Sequence, residues 1–175
     1  MKLTTEQTLI RDTAADFAQS VLAPQAGTND AKSLFPAEAI KQMGQLGFMG
    51  MLVPESFGGA NTDNVSYALA LEEIAAGEGA TSTIMSVHNS VGCMPLLNFG
   101  SSAQQQKYLP AMATGELLAA FCLTEPDAGS DASAIRTTAA HNGDHYLLNG
   151  TKQFITNGKS AGIAIVFART GEGKQ

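Results

Sequence analysis

The sequence predicts an α+β fold, with an all-helical unit over residues 1–115 and a β-rich unit over residues 116–175. Three observations carry this. Apolar residues recur at helical spacing as far as Gly115. Beyond it the period shortens from 3.6 to 2. Two Asn-Gly pairs, at 149–150 and 157–158, then separate apolar runs, as hairpin turns do. A chain of 175 residues with 44% hydrophobic and 15% charged content can bury a sizeable core.

The elements follow in order. Thr4 and Gln7 form a capping box. Ile10, Ala14, Phe17, Ala18 and Val21 then mark one helical face, which Pro24 is expected to close. Residues 25–34 are small and polar and read as a loop. Pro36 opens a second helix with Ile40, Met43 and Leu46, ending by Gly47. Asp63 or Asn64 caps a third, bearing Tyr67, Leu71, Ile74 and Ala75, which stops at the GEG of residues 77–79. Residues 79–106 carry no Asp, Glu, Lys or Arg, yet they hold many hydroxyls and amides. A bilayer penalises such groups, so one or two buried helices, interrupted near Gly92 and Pro95, are expected rather than a membrane span. Ser101 or Ser102 caps the last helix.

In the second unit Leu117–Leu123 is a strand candidate. Ala132–Ala140 can extend, HNGD (residues 141–144) turns, and His145–Leu148 and Thr151–Thr156 lead into the two Asn-Gly pairs. Gly162–Arg169 is a further strand. The expectation is an antiparallel meander of about four strands, with IAIVF left as an uncovered apolar edge. That edge suggests the front part of a longer protein.

Composition excludes some functions. Sixteen acids against ten Lys and Arg, net −6, argue against nucleic acid as a partner. Cys93 and Cys122 sit in apolar surroundings and read as reduced thiols, and neither stands at metal-ligand spacing from a second Cys or His. The start MKLTTEQTLIRD is no signal peptide, so a cytoplasmic or equivalent setting is expected.

The chemically suggestive stretch is FCLTEPDAGSDASAIR, residues 121–136. Gly129 permits close approach to the backbone, and successive N–H groups there can form an anion nest, with Thr124 and Ser130 adding hydroxyls. Glu125, Asp127 and Asp131 allow an anion only if they turn outward or bond the loop's own backbone. A well-capped tight turn explains the same residues. In LLNGTKQFITNGK, residues 147–159, an alternating strand would put Phe154 and Thr156 on one face, a stacking surface beside a donor for a flat heterocycle. Phe and Thr are also ordinary strand residues.

LTEPDAGSD, residues 123–131, resembles the first signature of the acyl-CoA dehydrogenase family. YLLNGTKQFITNGKSAGIAIVFAR (146–169) is similar to the family's next block. TSTIMSVHNSVGCMPLLNFGSSAQQQKYLP (81–110) resembles the preceding helices, most of all in short-chain members. The resemblance implies an N-terminal helical domain and an antiparallel β-barrel-type middle domain that is incomplete here. A C-terminal helical domain, which carries the catalytic carboxylate, would be absent.

It also implies FAD. Phe121, Cys122, Leu123 and Thr124 would lie along the flavin, Gly129 and Ser130 near the pyrophosphate, and Phe154, Ile155 and Thr156 against the ring. Many members have Trp where Phe154 stands. Ser130 would also meet the acyl-CoA, whose chain would be walled by Ile84, Val87 and Val91; ordinary core explains those three equally. His88 is expected to be hydrogen-bonded and not catalytic.

The implied reaction is α,β-dehydrogenation of a short acyl-CoA to the trans-2-enoyl-CoA. The implied partners are electron-transfer flavoprotein and a homotetramer, and the compartment is the bacterial cytoplasm or the mitochondrial matrix. An acyl-CoA oxidase, a flavin monooxygenase or a non-catalytic CoA-binding module would share these motifs.

Overall fold

The computed structural model describes residues 2–171. Helix α1 (Thr5–Phe17) starts at the expected capping box, in which Thr4 Oγ1 accepts from Gln7 N–H and Gln7 Oε1 accepts from Thr4 N–H, each at 3.1 Å. Pro24 does not end the helical segment. A π-helical turn over Ala18–Leu22 carries the chain into α2 (Ala23–Lys32), with Pro24 in its first turn. The wider turn takes up the register that proline would otherwise break. The expected loop over 25–34 is therefore mostly helix, closed by Ser33 in the left-handed region.

Helix α3 (Ala37–Gln45) ends before Gly47, whose φ of 83° makes the turn. Helix α4 (Asn64–Gly77) is capped by Asp63, whose carboxylate accepts from Val65 and Ser66 N–H. Helix α5 (Gly79–Ser86) continues through a second π-helical turn, Val87–Cys93, into α6 (Met94–Phe99). Helix α7 (Ser102–Ala113) is capped by Ser101.

Apolar burial holds these helices together. Phe17, Leu22, Met43, Met49, Ile74, Ile84 and Met85 form one cluster, with the Phe17 and Phe48 rings 6.4 Å apart. Each such side chain, fully buried, contributes about 1.5–3 kcal/mol. A second cluster joins Val53, Cys93, Leu96, Leu109 and Met112 to Ala119.

The strand region differs from the expected meander. β1 (Ala119–Cys122) pairs in parallel with β4 (Ile163–Val166), Ala119 opposite Ile163. Among the described residues only β2 (Thr138–Asn142) and β3 (His145–Asn149) form an antiparallel hairpin, closed at the HNGD turn with Gly143 at φ 69°. A parallel pair needs a long crossover, which the hairpin and residues 150–162 supply.

Thr151–Thr156 is not a strand, and neither Asn-Gly pair closes a hairpin. Phe154 (φ 58°) and Asn157 (φ 62°) break any extended run. The chain is held there by distant partners: Gln153 N–H donates to Thr124 O at 2.8 Å. The outer edge of β4 has no strand partner among the described residues.

Candidate functional site

At the end of β1 the chain turns sharply. Glu125 and Ala128 close the bend on themselves, N–H to O at 2.9 and 3.2 Å. Glu125 points inward and is 6% exposed. Its carboxylate accepts from Arg136 N–H (2.6 Å), Thr137 N–H (2.9 Å) and Lys152 Nζ (2.8 Å). Burial pushes this carboxyl up, but the bonds from Lys152, Thr137 and Arg136 together outweigh burial and hold it at about 2. Lys152 Nζ also donates to Leu123 O at 2.9 Å. One carboxylate thus ties the bend to the start of β2 and to the 151–162 segment.

The other two acids are committed locally. Asp127 pairs with Arg136 at 2.9 Å on the exposed surface, and Asp131 accepts from Ser133 N–H and Oγ. Acids that bond the loop's own backbone were the condition under which it could meet an anion. Two of its amides are internally committed, and the expected nest shrinks to the Gly129–Ser130 end. The N–H groups of those two residues make no hydrogen bond to another described residue, and neither do the hydroxyls of Thr124, Ser130 and Thr156. Gly129 is not left-handed, and a Cβ built there meets nothing within 4 Å. Glycine here leaves the backbone open to close approach.

Beside the bend, residues 154–161 form an irregular turn. Phe154 is 85% exposed although its φ is 58°. A bulky side chain in that region costs about 1–3 kcal/mol, and the described residues leave the ring largely uncovered. Ile155 and Thr156 are half-buried, so the single strand face expected for Phe154 and Thr156 does not form. Ile155, Cys122, Lys152, Ala120 and Gly162 border an open hollow of about 370 Å³. Larger hollows lie elsewhere, among them one of about 540 Å³ against α2, α4 and α5 and one of about 560 Å³ against α3.

The helical residues separate. Ile84 is buried in the main core, while Val87 and Val91 are half-buried on the second π-helical turn. Val87 borders a hollow of about 460 Å³ with Leu71, Glu72 and Ser86. His88 is fully buried; its Nε2–H donates to Met112 O (2.8 Å) and its Nδ1 accepts from Ala119 N–H (3.1 Å). Both nitrogens are satisfied only in the neutral ring, and burial lowers the pKa. Burial likewise pushes the Cys93 thiol up to about 12, an inert thiol.

Comparison with known proteins decides what this arrangement belongs to. Residues 4–116 match the acyl-CoA dehydrogenase N-terminal domain, and residues 120–175 match the acyl-CoA dehydrogenase middle domain. The chain belongs to the acyl-CoA dehydrogenase family. An acyl-CoA dehydrogenase of Bacillus subtilis is 49% identical over 170 residues, 97% of this chain and 45% of that protein. The mitochondrial short-chain specific acyl-CoA dehydrogenase of Rattus norvegicus is 45% identical over 167 residues, 95% of this chain and 40% of that protein. A glutaryl-CoA dehydrogenase of Mycobacterium smegmatis, solved in complex with FADH2, superposes with a TM-score of 0.93 at 36% identity, covering 98% of this chain and 44% of that one. The chain spans less than half the length of these relatives.

Within this acyl-CoA dehydrogenase chain, the structure brings the bend and the 151–162 segment together, along with β1. Phe121 lies on β1 with its ring edge-on to Phe167, centroids 5.2 Å apart. Cys122 faces the small hollow with Ile155. Ile84 lies in the main buried cluster. Sequence reading weighed Glu125 as bonding its own loop but missed its tie to Lys152, and it missed Lys152 and Asn157 altogether; Lys152 is 27 residues from Glu125 and no local pattern links the two.

Proposed function

We propose that this chain carries part of the flavin and substrate site of an FAD-dependent enzyme that dehydrogenates short acyl-CoA thioesters to trans-2-enoyl-CoA. The observation that carries the reading is Phe154, a strained and 85% exposed aromatic next to a bend whose acids are all committed and whose remaining donors are not. Such a surface fits a flat ring and an anionic bridge. The FADH2 complex of the glutaryl-CoA dehydrogenase and the short-chain specificity of the rat relative support it.

In this reading residues 1–115 are the helical domain and residues 116–175 open a β-barrel-type middle domain. Phe121, Cys122, Leu123 and Thr124 line the isoalloxazine, while Gly129 and Ser130 donate to the pyrophosphate. Phe154 and Ile155 pack on the ring, and Thr156 bonds its edge. Ser130 also meets the substrate, and Val87 and Val91 stand at the acyl end, with Ile84 behind them as core support. FAD, when bound, accepts the β-hydrogen with its electron pair.

Removing the α-proton requires a general base, which the family resemblance implies is a carboxylate. Glu125 is unsuited, since three donors keep it ionised and inward at a pKa of about 2. In this reading the base is supplied by a C-terminal helical domain, as the family resemblance implies. Electron-transfer flavoprotein as acceptor, a homotetrameric assembly, and a cytoplasmic or mitochondrial-matrix location complete the proposal. No helix among the described residues is long and apolar enough to cross a membrane.

The test uses the complete protein. It should retain FAD through purification, and anaerobic addition of acyl-CoA thioesters of increasing length should bleach the flavin fastest with short chains. Slow reoxidation by air separates a dehydrogenase from an oxidase or monooxygenase. A protein that retains no flavin, or whose flavin no acyl-CoA bleaches, overturns the reading.

A further inference from the structure

The backbone of Ala119, the first residue of β1, is gripped from two sides. His88 Nδ1 accepts its N–H at 3.1 Å, and Asn157 Nδ2 donates to its carbonyl at 3.0 Å. His88 is itself fixed, through Nε2–H to Met112 O at 2.8 Å. Sterics add to the grip, since a Cβ placed on Gly92 would meet Ala119 Cβ at 2.5 Å. Ala119 is therefore where the second π-helical turn, β1 and the 154–161 turn meet.

Asn157 does more than close its own turn. Its carbonyl accepts from Ser160 N–H (2.9 Å) and Ala161 N–H (2.7 Å), which winds residues 157–161 together. Its backbone is left-handed at φ 62°, where glycine is at least as comfortable. The side chain is 9% exposed, and its Oδ1 has no partner among the described residues. Burying an unpaired acceptor is unfavourable. Glycine would suit that backbone, so what the side chain adds is the bond to Ala119 O, which pins the turn to β1 one residue after Thr156.

We propose that Asn157 is a positioning residue, which, through Ala119 and with His88 on the opposite side, sets Phe154 and Thr156 against the flavin. This rests on the flavin reading above. It assigns Asn157 no contact with the ring; the residue acts through the turn that carries those two.

The experiment compares the complete wild-type protein with Asn157→Ala and Asn157→Gly. FAD dissociation is measured by flavin fluorescence, well below each unfolding temperature, and amide hydrogen exchange is followed at residues 117–123 and 154–161. Loss of one buried hydrogen bond should weaken FAD binding about three- to tenfold in both variants. It should alter the bound flavin's visible spectrum and speed exchange at Ser160 and Ala161. Asn157→Gly keeps the left-handed turn, so it remains readable where alanine fails to fold. If glycine retains wild-type affinity and spectrum, only backbone conformation matters and the proposal is overturned. Faster exchange with unchanged affinity reduces Asn157 to a structural role and also overturns it. If wild type binds no FAD, the functional reading fails, while exchange still shows whether the grip on Ala119 exists.

Discussion

Replacing Glu125 by glutamine tests the tie that shapes the candidate loop. The carboxylate uses one oxygen for Arg136 N–H and the other for Thr137 N–H and Lys152 Nζ. An amide of the same size must place its NH2 against one of these donors. Breaking a buried charge pair by removing one partner costs about 3–5 kcal/mol. Glutamine keeps one acceptor oxygen and Lys152 keeps Leu123 O, so about 3 kcal/mol is expected.

The pH dependence has a definite sign. The folded carboxyl sits at about 2, below its ordinary 4.5, so its stabilisation is complete above pH 4.5 and is lost as pH falls toward 2. Urea unfolding of wild type and Glu125→Gln should differ most near neutral pH, and the difference should shrink through that window. Equal stability near neutrality, or a gap that acid leaves unchanged, would refute the reasoning.

Three other outcomes are expected. Phe154→Gly removes an exposed ring and relieves a left-handed aromatic; without FAD it should unfold no earlier than wild type in a thermal melt, yet bind FAD at least about tenfold more weakly. Ser130→Asp adds an anion beside the unpaired Gly129 and Ser130 amides and should weaken FAD binding in a titration, with little change in melting temperature because the site is exposed. His88 is held neutral by burial with its pKa below 6.5, so the unfolded state takes up the proton first. Stability should fall as pH drops below 6.5, and His88→Gln should flatten that slope in the same unfolding assay.

Local chemistry made the helical starts legible. Thr4 caps as expected, and Asp63 and Ser101 prove to be the caps among the two candidates at each of the other starts, because a capping residue and its amide are neighbours in sequence. Pro24 misled for the converse reason. Its effect on a helix depends on the turn before it, and a π-helical turn has no composition of its own. The 151–156 run alternates like a strand, but its conformation is set from far away, by Thr124, Leu123, Glu125 and Ala119. The parallel pairing of β1 with β4 was hidden because hairpin-like Asn-Gly signals describe adjacent segments, whereas these strands are joined by a crossover. At the site, the hydroxyls and glycine of 124–130 could be picked out by residue type, while the grip of His88 and Asn157 on Ala119 exists only in three dimensions.

The way β1 enters the helical half has a practical consequence for dissecting the protein. Leu118 completes the main apolar cluster, and Ala119 belongs to the second with no surface left exposed. A helical piece trimmed at Gly115 would lose both and leave His88 facing a void. One carried through Leu123 would keep its plug, so cloning boundaries should follow the buried contacts and not the change in sequence pattern.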